Sequence, residues 1–186
     1  MLVAEHKNFS DRIIPDSFLK ILHRIGFNGN RLTFLSFLST IVAFYFFWEG
    51  KLFWGGLAAA LDWTFDFFDG KLARKYQEET KLGSFYDFVS DRLRMSWLVA
   101  LAFSSLISFE IALAALFLEA MLHLTSYYIE LKGLKNIKWL PHNVHLLTIG
   151  ALLNRITIFI QISLVIGSIL LITQIASTII LNWNKK

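Results

Sequence analysis

The sequence predicts an all-α integral membrane protein, in which an N-terminal amphipathic surface helix is followed by six transmembrane helices. Three observations lead there. Of the 186 residues 55% are hydrophobic and only 17% charged, against roughly 45–50% apolar and about 25% charged in soluble domains, and the mean hydropathy is +0.54. The apolar residues fall in runs close to the ~20 residues that a helix needs to cross the hydrocarbon layer. Lysines and arginines gather just outside alternate runs, as they do on cytoplasmic loops.

Spans of that length fill the chain as a single membrane domain over residues 1–186, with no room for an appended soluble module. The formal charge of +4 is explained by loop topology, so nucleic acid is not expected as a partner. With no cysteine, disulfide frameworks and thiolate metal sites are excluded. The N-terminus mixes Glu5, Lys7, Asp11, Arg12 and Asp16, whereas a signal peptide places a basic region before an apolar one. This segment is expected to stay on the protein.

Taken in order, Pro15 opens a segment over residues 16–26 in which Phe18, Ile21, Leu22 and Ile25 recur at helical spacing, with Leu19 beside them and Lys20, His23 and Arg24 interleaved. That pattern suits a helix lying in the membrane interface. The loop Phe27-Asn28-Gly29-Asn30-Arg31 ends it, and the transmembrane bundle follows over about 32–183. Its apolar runs are Leu32–Trp48, Leu52–Arg74, Ser84–Ile107 and Ser108–Leu131, then His145–Trp183, which is long enough for two spans with a tight turn near Gly167. Trp48, Trp54, Trp139 and Trp183 stand near span ends, where interfacial aromatics are common. The basic loops hold Lys71, Arg74, Lys75 and Lys81, then Lys132, Lys135 and Lys138. A multi-pass protein of the cell membrane with both termini on the cytoplasmic side is therefore expected.

Acids stand where lipid should exclude them. Asp62, Asp66 and Asp69 lie within the second apolar run, and Asp87 and Asp91 within the third; an intramembrane carboxylate costs at least ~2.5 kcal/mol on insertion scales and marks a functional site by default. Asp66 and Asp69 are spaced i, i+3, and Asp87 and Asp91 i, i+4, so each pair projects from one helix face. Helical rise sets the first pair roughly 8–14 Å from the cytoplasmic end of its helix and the second roughly 6–12 Å, so antiparallel packing brings both to one level. Four converging carboxylates with no compensating charge would repel strongly, and one or two hard divalent cations are the simplest remedy. Mg²⁺ suits them, with Mn²⁺ as the alternative. Such an ion keeps positions open for phosphate oxygens, which points to a diphosphate-bearing substrate. Gly70 and Gly83 lack side chains where a nucleotide would approach the backbone, and Arg74 has the fork geometry suited to phosphate.

Together these residues form Asp66-x2-Asp69-Gly70-x2-Ala73-Arg74-x8-Gly83-x3-Asp87-x3-Asp91, eight matched residues over 26 positions. The string resembles the signature of the CDP-alcohol phosphatidyltransferase family at every fixed position and spacing. The resemblance implies a surface helix plus a six-helix bundle, and a homodimer. It implies that Asp66, Asp69, Asp87 and Asp91 bind metal, with Asp91 also the general base on the acceptor hydroxyl. Gly70, Ala73, Arg74, Thr80 and Gly83 would meet the CDP-linked donor, as would Asn30 and Thr33, which resemble the family's Asn-x-x-Thr element. The reaction implied is transfer of a phosphatidyl-type group from a CDP-linked lipid to a small polar alcohol, such as inositol phosphate or glycerol phosphate, with release of CMP. Transfer of a CDP-linked head group to a lipid alcohol shares the signature, and a carboxylate-lined cation transporter is the alternative of a different class.

Acceptor choice is carried outside the signature. Asp62, one turn from Asp66, is either a partner of the metal ligands or part of the acceptor pocket. Glu119 and His123, spaced i, i+4, either line that pocket or pair with each other. Lys135, His142 and His145 could meet an acceptor phosphate, although topology alone accounts for the lysines of this loop. Family members that use inositol phosphate tend to carry arginines here, whereas this chain reads Pro141-His142-Asn143-Val144-His145; its Asp91-Arg92 pair, in contrast, is similar to that subgroup. Arg155 falls inside an apolar run and must face protein or water, so it either has a structural role or reaches an anionic group of the acceptor as part of the pocket.

Overall fold

The computed structural model describes residues 16–78, 80–132 and 143–183. The regular elements among them are α-helices: α1 (Asp16–Arg24), α2 (Gly29–Trp48), α3 (Leu52–Tyr76), α4 (Lys81–Leu93), α5 (Ser96–Phe103), α6 (Phe109–Leu131), α7 (Asn143–Leu152) and α8 (Ile156–Trp183). They form two compact units. One comprises the described residues up to Ala43 with Ala58–Arg94, the other Phe44–Leu57 with the described residues from Met95 onward.

In the first unit α1 sorts its apolar residues into two stripes. Leu19 is buried with Leu32 of α2 and Leu72 of α3, and Leu22, Phe27 and Tyr76 pack around them. Phe18, Ile21 and Ile25 are exposed, as befits side chains that meet lipid. The His23 ring stacks on Tyr76 at 3.8 Å and its Nε2 lies 3.1 Å from Glu78 Oε1, which ties α1 to the end of α3. Gly26 ends α1 at φ +93°, with Gly26 N–H donating to His23 O and Phe27 N–H to Leu22 O. This Schellman arrangement satisfies the last carbonyls, and glycine adopts its left-handed residue without strain. Asn28 then caps α2, its Oδ1 accepting the Arg31 N–H at 2.9 Å.

In the second unit α6 and α7 both pack on α8, and α5 packs on α6. Leu118 and Leu122 of α6 are buried with Leu170 of α8. Trp97 is fully buried, its ring 5.9 Å from Phe47 and edge-on to it.

Two sequence expectations are corrected here. The run Ser84–Ile107 is divided: α4 ends at Leu93, and Leu98 N–H bonds back only three residues, to Met95 O. The turn expected near Gly167 lies instead at Leu153–Arg155, and α8 runs unbroken through Gly167. Asn154 adopts φ +54°, donating its N–H to Ala151 O while Arg155 N–H donates to Gly150 O, and Asn is the residue besides Gly that most readily does so. Gly167 serves packing: a Cβ there would come within 2.8 Å of Leu118 Cδ2, so its bare backbone is what lets α8 approach α6.

Among the described residues, three helices, over Gly29–Trp48, Phe109–Ile129 and Ile156–Ile179, are long and apolar enough to cross a membrane. Phe117, Leu124, Val165 and Ile172 are among the large apolar side chains these helices expose, as suits helices that meet hydrocarbon.

Candidate active site

All signature residues fall in the first unit. Asp66 and Asp69 project from α3 one turn apart, and Asp87 and Asp91 from α4. One carboxylate oxygen from each of Asp66, Asp87 and Asp91 lies within 4.8 Å of the others. Donors that are all carboxylate oxygens suit a hard divalent cation. Asp69 stands outside this trio and is buried. It lines an adjoining cavity of about 240 Å³ together with Asp87, Gly29, Asn30, Thr33, Gly70, Ala73, Thr80, Gly83 and Ser84. Asp87 thus belongs to both the trio and the cavity wall.

Local chemistry explains how this wall forms. Thr80, extended at φ −127° and ψ 153°, caps α4: its Oγ1 accepts the Gly83 N–H at 3.0 Å. The same hydroxyl donates to Asn30 Oδ1 at 2.7 Å, which fastens the start of α4 to the start of α2. A Cβ at Gly83 would come within 2.6 Å of Asn30 Oδ1, and one at Gly29 within 2.7 Å of Ala73 Cβ. These small residues therefore permit close helix approach as well as keeping the cavity open. Arg74 is exposed, and its guanidinium reaches back toward Gly70, where a Cβ would meet Nη1 at 3.1 Å.

The expectation that the acids lack a compensating charge is corrected by Arg94. Its side chain is 10% exposed, and Nε donates to Asp62 Oδ2 at 2.7 Å. Nη2 lies 3.0 Å from both Asp62 Oδ1 and Asp66 Oδ1, and Nη1 is 2.6 Å from Asp91 Oδ1. Asp62, fully buried, also accepts from Ser36 Oγ at 2.6 Å and Thr40 Oγ1 at 3.0 Å. Arg94 escaped sequence reasoning although its place in an apolar run, three residues after Asp91, was a usable signal.

The remaining candidates are distributed differently. Glu119 and His123 pair with each other on α6, Oε1 to Nε2 at 3.3 Å, in the second unit. His145, on α7, is half-buried, and Arg155 is exposed in the turn before α8 instead of lying inside a span. Lys135 and His142 lie outside the described residues, as does Trp139.

The sequence profile of the CDP-alcohol phosphatidyltransferase family matches residues 28–184. The chain belongs to that family, and it is a membrane protein. Among characterised relatives it is 31% identical over 115 residues to the archaetidylinositol phosphate synthase of Pyrococcus horikoshii, a match covering 61% of either chain. It is 36% identical over 81 residues to the phosphatidylinositol phosphate synthase of Mycobacteroides abscessus, covering 43% of this chain and 37% of that one. The matches therefore span less than two thirds of either relative. Solved structures of the Mycobacterium tuberculosis phosphatidylinositol phosphate synthase share the fold. The form with manganese and citrate superposes with TM-score 0.71 at 19% identity, covering 88% of each chain. The form with CDP-DAG bound gives TM-score 0.68 at 19% identity, covering 86% of this chain and 90% of that one.

Proposed function

We propose that this chain transfers a phosphatidyl-type group from a CDP-linked lipid to a small polar alcohol, releasing CMP, and that the alcohol is an inositol phosphate. The observation that carries the reading is the carboxylate trio of Asp66, Asp87 and Asp91 sharing Asp87 with a cavity lined by the glycines, Asn30, Thr33 and Thr80. The names of both relatives support the acceptor.

In this reading Asp66, Asp69, Asp87 and Asp91 hold one or two divalent cations, Mg²⁺ or Mn²⁺. A bound cation neutralises charge developing on the departing CMP phosphate. Asn30, Thr33, Gly70, Ala73, Arg74, Thr80 and Gly83 seat the cytidine diphosphate. Asp91 takes the proton from the acceptor hydroxyl. That oxygen bonds to the lipid-side phosphorus as its bond to the bridging diphosphate oxygen breaks, and CMP leaves with the electron pair. Lipid tails stay in the bilayer while nucleotide and acceptor enter from the cytoplasm, on which side both termini lie, and the active protein is a homodimer.

The test is release of radiolabelled CMP from CDP-diacylglycerol or its ether analogue by purified protein, across inositol phosphate, glycerol phosphate and free inositol, with Mg²⁺ or Mn²⁺. Inositol phosphate is expected to support turnover. The double variant Asp66→Asn, Asp69→Asn turning over at the wild-type rate would sink the reaction class, and turnover only with another alcohol would sink the acceptor.

A further inference from the structure

We propose that Arg94 is the positioning residue of the carboxylate cradle: seated on Asp62, it fixes the orientations of Asp66 and Asp91 and so sets the site's affinity for its divalent cation. The inference rests on the metal reading above. It concerns residues outside the eight-residue signature, since neither Asp62 nor Arg94 belongs to that string.

The geometry has an anchor and two arms. Asp62, 0% exposed, takes Arg94 Nε on Oδ2 at 2.7 Å and Nη2 on Oδ1 at 3.0 Å. Ser36 and Thr40 donate to the same Oδ1, which holds the carboxylate against α2. A guanidinium is planar, and its five donors point in fixed directions. Docking one edge on Asp62 therefore decides where the remaining donors go. Nη2 meets Asp66 Oδ1 on α3 and Nη1 meets Asp91 Oδ1 on α4. One cation thus bridges two helices and holds a single oxygen on each of two acids, and a monodentate metal ligand needs only one of a carboxylate's two oxygens.

A resident positive charge can act on a metal site in two opposed ways. It repels an incoming cation, and it spares the acids part of their mutual repulsion so that they stand converged beforehand. Here the charge of Arg94 is matched by that of Asp62, sealed beside it, so repulsion is largely cancelled and preorganisation dominates. Lysine could not substitute, because one ammonium cannot keep an edge on Asp62 while pointing separate donors at Asp66 and Asp91.

The experiment titrates the full chain in detergent micelles with Mn²⁺, reading free Mn²⁺ by its EPR signal, and records melting in parallel. Arg94→Lys keeps a cation beside Asp62 and should melt near wild type while binding Mn²⁺ at least about tenfold more weakly. The double variant Asp62→Asn, Arg94→Met removes both buried charges, so it should also fold, again with affinity reduced at least about tenfold. Wild-type affinity in Arg94→Lys, or equal or tighter binding in the double variant, would overturn the proposal and leave Arg94 a partner of Asp62 only. Failure of the wild type itself to bind Mn²⁺ would overturn the metal reading and this inference with it, an outcome distinct from loss of the variants' effect.

Discussion

Replacing Gly83 by alanine should separate the two demands that this position meets. The new Cβ would stand 2.6 Å from Asn30 Oδ1 and 3.3 Å from Thr80 Oγ1, whereas carbon and oxygen rarely approach within about 3.3 Å. Asn30 would have to withdraw, losing the Thr80 hydrogen bond of 2.7 Å. A lost hydrogen bond costs ~1 kcal/mol and the residual crowding about 1–2 kcal/mol. The better helix propensity of alanine recovers ~1 kcal/mol. The net destabilisation is about 1–2 kcal/mol, or roughly 2–8 °C in melting temperature for a chain of this size. Melting followed by tryptophan fluorescence in detergent, in the wild-type and Asn30→Ala backgrounds, supplies the assay. With Asn30 shortened to alanine, Gly83→Ala should become neutral or mildly stabilising. An equal cost in both backgrounds would refute the clash and place the demand for glycine elsewhere.

Gly167→Leu should lower the melting temperature by forcing α8 away from Leu118, at a cost of about 1–3 kcal/mol, and Leu118→Ala should restore part of it; a neutral substitution would mean that the clash of an added Cβ, 2.8 Å from Leu118 Cδ2, is relieved without cost. Asn154→Gly should leave stability unchanged, whereas Asn154→Val should cost at least ~1 kcal/mol because a β-branched residue resists φ +54°; equal melting of the two would contradict the turn. Asp91→Asn, assayed by CMP release, should lose about 10²–10⁴-fold in rate if it is the general base, and chelation with EDTA should abolish turnover until Mg²⁺ or Mn²⁺ is restored.

The sequence carried the helical class, the membrane setting and the spacing of Asp66, Asp69, Asp87 and Asp91, because each follows from local periodicity or from the aversion of charge to hydrocarbon. It also identified the small residues of the site, although their function as close contacts between helices became visible only with Asn30 and Ala73 in place. The turn before α8 was misplaced at Gly167 because glycine is both the usual helix terminator and a usual helix-packing residue, and a one-dimensional pattern does not separate the two uses. Hydrogen bonds did, by closing the end of α7 with the N–H groups of Asn154 and Arg155. Arg94 marks the same boundary. Its bond to Asp91 spans three residues and was readable, but its partners Asp62 and Asp66 lie 32 and 28 positions away. Which charges meet across such separations depends on how helices pack, and only the tertiary structure decided that one arginine holds both helices of the site.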